Sequence, residues 1–223
     1  MSPARRRFSL LVAACALAAA TGGGAFGSTA DTVHPSVADQ QLAKAAVLHL
    51  GDFAPGSGWV ATTPPSNGRS SGAASSCAVA TKTAGLTETG HAVSAFKAPG
   101  FYVQSWATIL QTPTMVQLDW RRSTPFILGC LRSSIARSLD ASTSLTSIVE
   151  LPFPKVAPLL RAYRATVSVE AQGTTIPMVA DILVYARGRT ELELLQVSPQ
   201  AFASQAKAAE QRIASLLSLR ATA

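Results

Sequence analysis

The chain is expected to fold as an α+β domain: an antiparallel β-sheet with its helices packed on one face, closed by one disulfide. Three patterns lead there. Residues 163–197 hold three successive strand-like runs separated by Gln172-Gly173 and Arg187-Gly188, the signature of an antiparallel meander. Residues 37–50, 123–139 and 199–217 carry apolar positions at helical spacing. Setting aside an N-terminal export signal leaves two cysteines, Cys77 and Cys130, enough for one bridge.

In chain order, Arg5, Arg6 and Arg7 precede an apolar stretch at residues 8–20, and a looser small-residue stretch completes residues 1–30. These are the three regions of a secretory signal peptide, and an apolar core of 13 residues is shorter than the about 20 that a membrane span needs. Ser28 and Ala30 place the expected cleavage after Ala30. The arginines also partly match a twin-arginine export signal. A rival processing pattern is Val12-Ala13-Ala14-Cys15, which resembles a bacterial lipobox and would tether the protein to the outer face of a membrane through a lipid on Cys15. The residues after Cys15 stay apolar where a lipoprotein tether is usually polar, so simple secretion is preferred.

Cleavage changes the charge. The chain has 19 cationic and 12 acidic residues for a net +7, and removing three arginines leaves 16 against 12, or +4. A content of 48% hydrophobic and 14% charged residues, with 15 Gly and three Cys, excludes a disordered tail, a collagen-like fibre and a dense disulfide scaffold. Residues 31–223 therefore read as a single domain. With no basic run longer than two, a nucleic-acid partner is not expected. Contact with a membrane is expected only through an N-terminal lipid or an uncleaved signal, and a monomer is expected.

Ser36 is placed to cap a first helix over residues 37–50, with Leu42, Ala46 and Leu50 on one face and Gly51 as its stop. Residues 52–59 form a turn that delivers Trp59 into a short strand. Residues 63–76, rich in Thr, Pro, Ser and Gly, are expected to be a mobile loop. Residues 91–96 and 101–110 have strand character and meet at Pro99-Gly100. Ser123-Thr124-Pro125 opens a helix that turns Phe126, Ile127, Cys130, Leu131, Ile135 and Leu139 inward and Arg132 and Arg137 outward. The meander follows. Ser198-Pro199 then starts a last helix with Phe202, Ala206, Ala209, Ile213 and Leu217 as its apolar stripe.

Export puts Cys77 and Cys130 in an oxidising compartment. Neither belongs to a Cys-x-x-Cys or has a ligand-spaced histidine nearby, so a structural bridge is read rather than a redox or metal site. Closing the 53-position loop is worth about 4 kcal/mol in the chain-entropy account.

Catalytic patterns are weak. Gly68-Arg69-Ser70-Ser71-Gly72 matches a nucleophile elbow, but no apolar strand precedes Ser70 as that turn requires. His34, His49 and His91 are scattered and fit no metal spacing, so neither a metal nor another cofactor is expected. Glu191 and Glu193 have the i, i+2 placement of paired carboxylates, yet their alternation with Leu192 and Leu194 reads as a solvated sheet face. Asp181 stands out in an apolar strand, and a structural pair with Arg164 or Arg161 is preferred to catalysis. Trp120, Arg121 and Arg122 set an aromatic beside two cations that could touch nucleic acid, anionic lipid or a polyanionic wall polymer, and Arg121 and Arg122 are preferred as helix-surface charges.

The order of features is an N-terminal helix, residues 52–59, a Cys, two strands carrying Phe96 and Trp106, a helix with the second Cys, a meander with Gly188-Arg189-Thr190, and a terminal helix. Over residues 40–218 this resembles the extracellular sensor domains of actinobacterial serine/threonine kinases of the PknH type and their free-standing secreted or lipid-anchored relatives. The chain differs in having neither a kinase domain nor a second cysteine pair. The resemblance implies a non-catalytic α+β module with a cleft for an unidentified small molecule or cell-envelope component, and it transfers no functional residue. The expected function is thus an exported sensor-like or ligand-binding domain rather than an enzyme. The alternatives are a cell-envelope hydrolase with a spatially assembled site and a structural envelope protein.

Overall fold

The computed structural model describes residues 32–67, 85–139, 141–171 and 173–221. The expected signal peptide, Cys15, Ser70 and Cys77 lie outside the described residues. Eight strands form one mixed sheet: β1 (Thr32–Val33), β2 (Val60–Ser66), β3 (Thr87–Ala98), β4 (Phe101–Leu110), β5 (Thr143–Glu150), β6 (Leu159–Ala171), β7 (Thr174–Arg187) and β8 (Thr190–Pro199). Their spatial order is β1-β3-β4-β8-β7-β6-β5, and β2 also pairs with β3. The β1–β3 pair is parallel and the other pairs are antiparallel. Four α-helices accompany the sheet among the described residues: α1 (Val37–Ala46), α2 (Pro113–Ser123), α3 (Ile127–Ser138) and α4 (Ala203–Arg220).

The α+β class and the meander agree with the sequence, but the helices do not share one face. Ala43 and Ala46 of α1 and Ile213 and Leu217 of α4 pack on Phe96, Val103, Leu183 and Leu194. Ile127, Leu131 and Ile135 of α3 pack on the opposite side, against Val93, Ala165, Ile182 and Leu195. The cause lies in the strands. In β4 and β8 almost every residue is buried, so both faces are covered. Strand β6 alternates buried and half-buried positions, and there the sequence pattern describes the structure directly.

Several boundaries move. Ser36 caps α1 as expected, accepting the Asp39 N–H at 3.1 Å, but the helix ends at Ala46. The chain leaves the helix because the Leu48 N–H is taken by Ser105 Oγ at 2.9 Å on the sheet surface, and Leu50 is left 54% exposed. Residues 63–66 belong to β2 instead of a loop, and residues 68–76 lie outside the described residues. Ser123 ends α2 instead of opening a helix, and α3 begins only after a short 3₁₀ turn at Thr124–Phe126. Phe126 and Phe202 face solvent rather than the core, because each sits in a 3₁₀ turn before its helix begins. Cys130 is only partly buried.

Two close approaches fix α1 on the sheet. A Cβ at Gly90 would lie 2.2 Å from the Asp39 carbonyl oxygen, so only glycine lets the helix backbone come this near. Arg189 then grips the Asp39 carboxylate with two donors, at 2.6 and 3.2 Å, and this contact holds the carboxyl below its ordinary range. Among the described residues no helix is long and apolar enough to cross a membrane.

Candidate functional site

The antiparallel register of β4 and β8 sets Trp106 opposite Glu193 and Thr108 opposite Glu191. With a period of two these four side chains project from one face. Val184 joins them from β7, directly opposite Glu193. Helix α2 roofs this patch. Thr112 caps it by accepting the Met115 N–H at 3.2 Å, and Pro113 occupies the first turn, where its missing N–H does no harm. At its far end Ser123 Oγ donates to the Asp119 carbonyl at 2.8 Å and Thr124 Oγ1 to the Trp120 carbonyl at 2.5 Å. Asp119, Trp120 and Ser123 are thereby held over the sheet, and the space between helix and strands, counted to its open mouth, is a cleft of about 430 Å³.

Three carboxyl groups line this cleft: Asp119, Glu191 and Glu193. Asp119 and Glu193 are 7% and 5% exposed. Asp119 and Glu191 lie close enough to perturb each other's titration. Burial, the Asp119 charge and its hydrogen bond, and the more distant Glu88 push the Glu191 carboxyl well above the ordinary carboxylate range. Burial also raises Asp119, which the Arg122 guanidinium partly offsets. The cleft therefore holds two interacting, buried carboxyl groups beside Glu193. Trp106, 2% exposed, lines the same cleft, and its Nε1–H finds no acceptor among the described residues.

Glu191 and Glu193 were expected on a solvated sheet face, and this is corrected. A Leu-Glu alternation looks the same whether the polar side meets water or a helix that brings its own polar groups, and α2 supplies that second case. Trp120 lines the cleft, and of the two cations beside it Arg121 is exposed and Arg122 is partly buried beside Asp119. Asp119 escaped the sequence reading because nothing local distinguishes it from an ordinary helical acid.

The remaining candidates fall elsewhere. Asp181 is 1% exposed and meets Arg164 through two hydrogen bonds, at 2.6 and 2.5 Å, a cross-strand pair in direct register. Arg161 pairs with Glu150 instead, at 2.8 Å. Beside Asp181, on the α4 side, lies Glu210, fully buried and with no hydrogen-bond geometry to either oxygen. His34 is exposed, His49 caps a 3₁₀ turn next to Asp52, and His91 Nδ1 lies 3.5 Å from Thr108 Oγ1. Among the described residues no group of three or more His, Cys, Asp or Glu is arranged to hold a metal ion.

Fold and site together define an α+β domain with an acidic, indole-lined cleft between a helix and a mixed sheet. No protein-family model matches the chain, and no curated protein does. The solved structure of an uncharacterised protein from Mycobacterium smegmatis, an Rv0999 ortholog, is similar at 10% identity and a TM-score of 0.40, covering 82% of this chain and 98% of that one.

Proposed function

We propose that the chain is an exported, non-catalytic ligand-binding or sensor-like module of a bacterial cell envelope, and that the cleft under α2 is its ligand site. The observation that carries this reading is the cleft itself: convergent polar groups and two indoles line one concavity between α2 and the sheet. The element order that resembles PknH-type sensor domains agrees with it. Thermal-shift screening of the exported protein against envelope metabolites tests it. A true ligand raises the melting temperature by mass action, and Trp120→Ala abolishes the shift. Ligands whose stabilisation survives in Trp120→Ala, or no stabilising ligand at all, would count against the cleft.

A second reading, a hydrolase that activates water with Asp119 and Glu191, is favoured by the burial that raises both carboxyls in one cleft. It requires turnover that disappears in Asp119→Asn, whereas a binding module leaves every compound intact.

A further inference from the structure

We propose that the outer surface of the layer formed by α1 and α4 docks on an anionic lipid surface, a membrane contact beyond the N-terminal lipid or signal that the sequence allows. The three most exposed large apolar side chains among the described residues, between 54% and 78% exposed, all lie in this layer: Val37 on α1, Leu219 on α4 and Leu50 in the 3₁₀ turn that follows α1. Val37 and Lys44 share the outward stripe of α1 at i, i+7, and Arg212 and Leu219 share that of α4 at the same spacing. Lys44 and Arg212 are exposed and join no ion pair among the described residues. Arg220 holds Asp52, which brings Leu219 and Leu50 to one end of the layer. Residues 151–158 pack there through Phe153, Val156 and Ala157, and the bond from Ser218 Oγ to the Val156 carbonyl, at 2.6 Å, brings the exposed Lys155 into the neighbourhood of Leu219.

The acids of this layer are turned inward. Asp39 is held by Arg189, Asp52 by Arg220, and Glu210 is fully buried. The exposed acids among the described residues are Glu150 and Glu170, on β5 and β6, at the end of the sheet away from β3, on which α1 sits. The sequence charge therefore understates how cationic this side is. Cations alone would suit any polyanion, but cations interspersed with exposed leucines and a valine suit a bilayer, whose headgroups meet the charge while its acyl boundary takes the apolar side chains. Docking through α1 and α4 leaves the cleft on the side turned away from the membrane, because Trp106 and Val184, which line it, belong to the opposite face of the sheet. The docking surface stands apart from the ligand-site reading, and either can fail without the other.

The test uses the exported full chain carrying Cys15→Ser, which removes the acceptor of an N-terminal lipid, and compares surface variants in that same background so that any retained signal contributes equally. Co-sedimentation is measured with vesicles of phosphatidylcholine alone and of phosphatidylcholine with phosphatidylglycerol, and soluble polyphosphate is added as a competitor. The expected result is binding to the anionic vesicles at least about tenfold tighter than to the neutral ones, weakening as salt rises from about 0.05 M to about 0.5 M. Joint reversal by Lys44→Glu, Lys155→Glu and Arg212→Glu lowers the anionic affinity at least about tenfold, and Leu50→Ser with Leu219→Ser lowers it at least about fivefold. All five positions are exposed, so the variants should keep the parent's melting temperature, and the parent's preference between vesicles stands by itself if one of them does not fold. Equal binding to both kinds of vesicle, or binding to neither, overturns the proposal. An anionic preference that survives both sets of substitutions puts the contact elsewhere and overturns it too. Loss on charge reversal but none with the serine pair, together with displacement by polyphosphate, assigns the surface to a soluble polyanion and overturns the bilayer.

Discussion

Glu210 occupies an unusual place for a carboxyl: it is 0% exposed, it sits beside the Asp181–Arg164 pair, and neither of its oxygens makes a hydrogen bond by geometry. Burial first, and then the Asp181 charge, push its carboxyl up to about 9, with Arg164 and Lys207 opposing. The folded chain thus keeps this proton until about pH 9, whereas the unfolded chain releases it near 4.5. Between those values the unfolded state binds fewer protons, so this group makes stability fall as pH rises. Glu210→Gln keeps the shape and a donor toward Asp181 but cannot ionise. Melting curves should therefore show the variant gaining on wild type from about pH 5 to about pH 8, and an unchanged gap would refute the buried neutral acid. Asp181 is legible from sequence as a lone acid in an apolar strand. Glu210 is not, since an acid beside lysine in a helix normally faces water and only the descent of α4 onto the sheet buries it.

The helices separate by how much of their stability is local. Ser36, the good helix formers behind it and the Gly51 stop announce α1, but its end at Ala46 depends on Ser105, which is remote in sequence and captures the Leu48 N–H. Helix α2 has a cap and an N1 proline, yet its buried residues are Val116 and Asp119, too few for an apolar stripe, and it is invisible to periodicity. Strand β5 is similarly obscured because its serines and threonines lie at an edge where few positions are buried. The seat of α1 gives a sharp test. Gly90→Ala forces a methyl group into the Asp39 carbonyl, and an overpacking loss of about 1–3 kcal/mol is expected in chemical denaturation. Loss of amide protection concentrated in residues 37–46 would place the damage in that helix, and wild-type stability would show that α1 shifts at no cost.

Across the molecule, the layer holding α1 and α4 is closed by contacts between distant parts of the chain. Arg220, in the last turn of α4, donates to both Asp52 oxygens at 2.8 and 2.5 Å and to the Val47 carbonyl at 3.2 Å. Ser218 Oγ reaches the Val156 carbonyl at 2.6 Å. The Asp52 side chain is 6% exposed and that of Arg220 is 30% exposed, so this pair lies between a surface and a buried salt bridge. Arg220→Met should destabilise by about 1–3 kcal/mol and loosen α4 before the sheet, which hydrogen exchange resolves. A uniform loss of protection would instead show that the three layers unfold as one.

Short-range information is enough for the Ser36 cap, the β-meander with its Gly173 and Gly188 turns, and the α+β class, because each depends on residues a few positions apart. Its reach ends where a side chain's meaning depends on what covers it. The same Leu-Glu alternation in β8 serves water or a cleft equally well, and α2 decides between them. Helices cover both faces because β4 and β8 bury residues on both, a property of neighbouring strands together. The cleft joins residues 106, 119 and 191, which pattern reading cannot connect, and burial, not residue type, raises the Asp119 and Glu191 carboxyls.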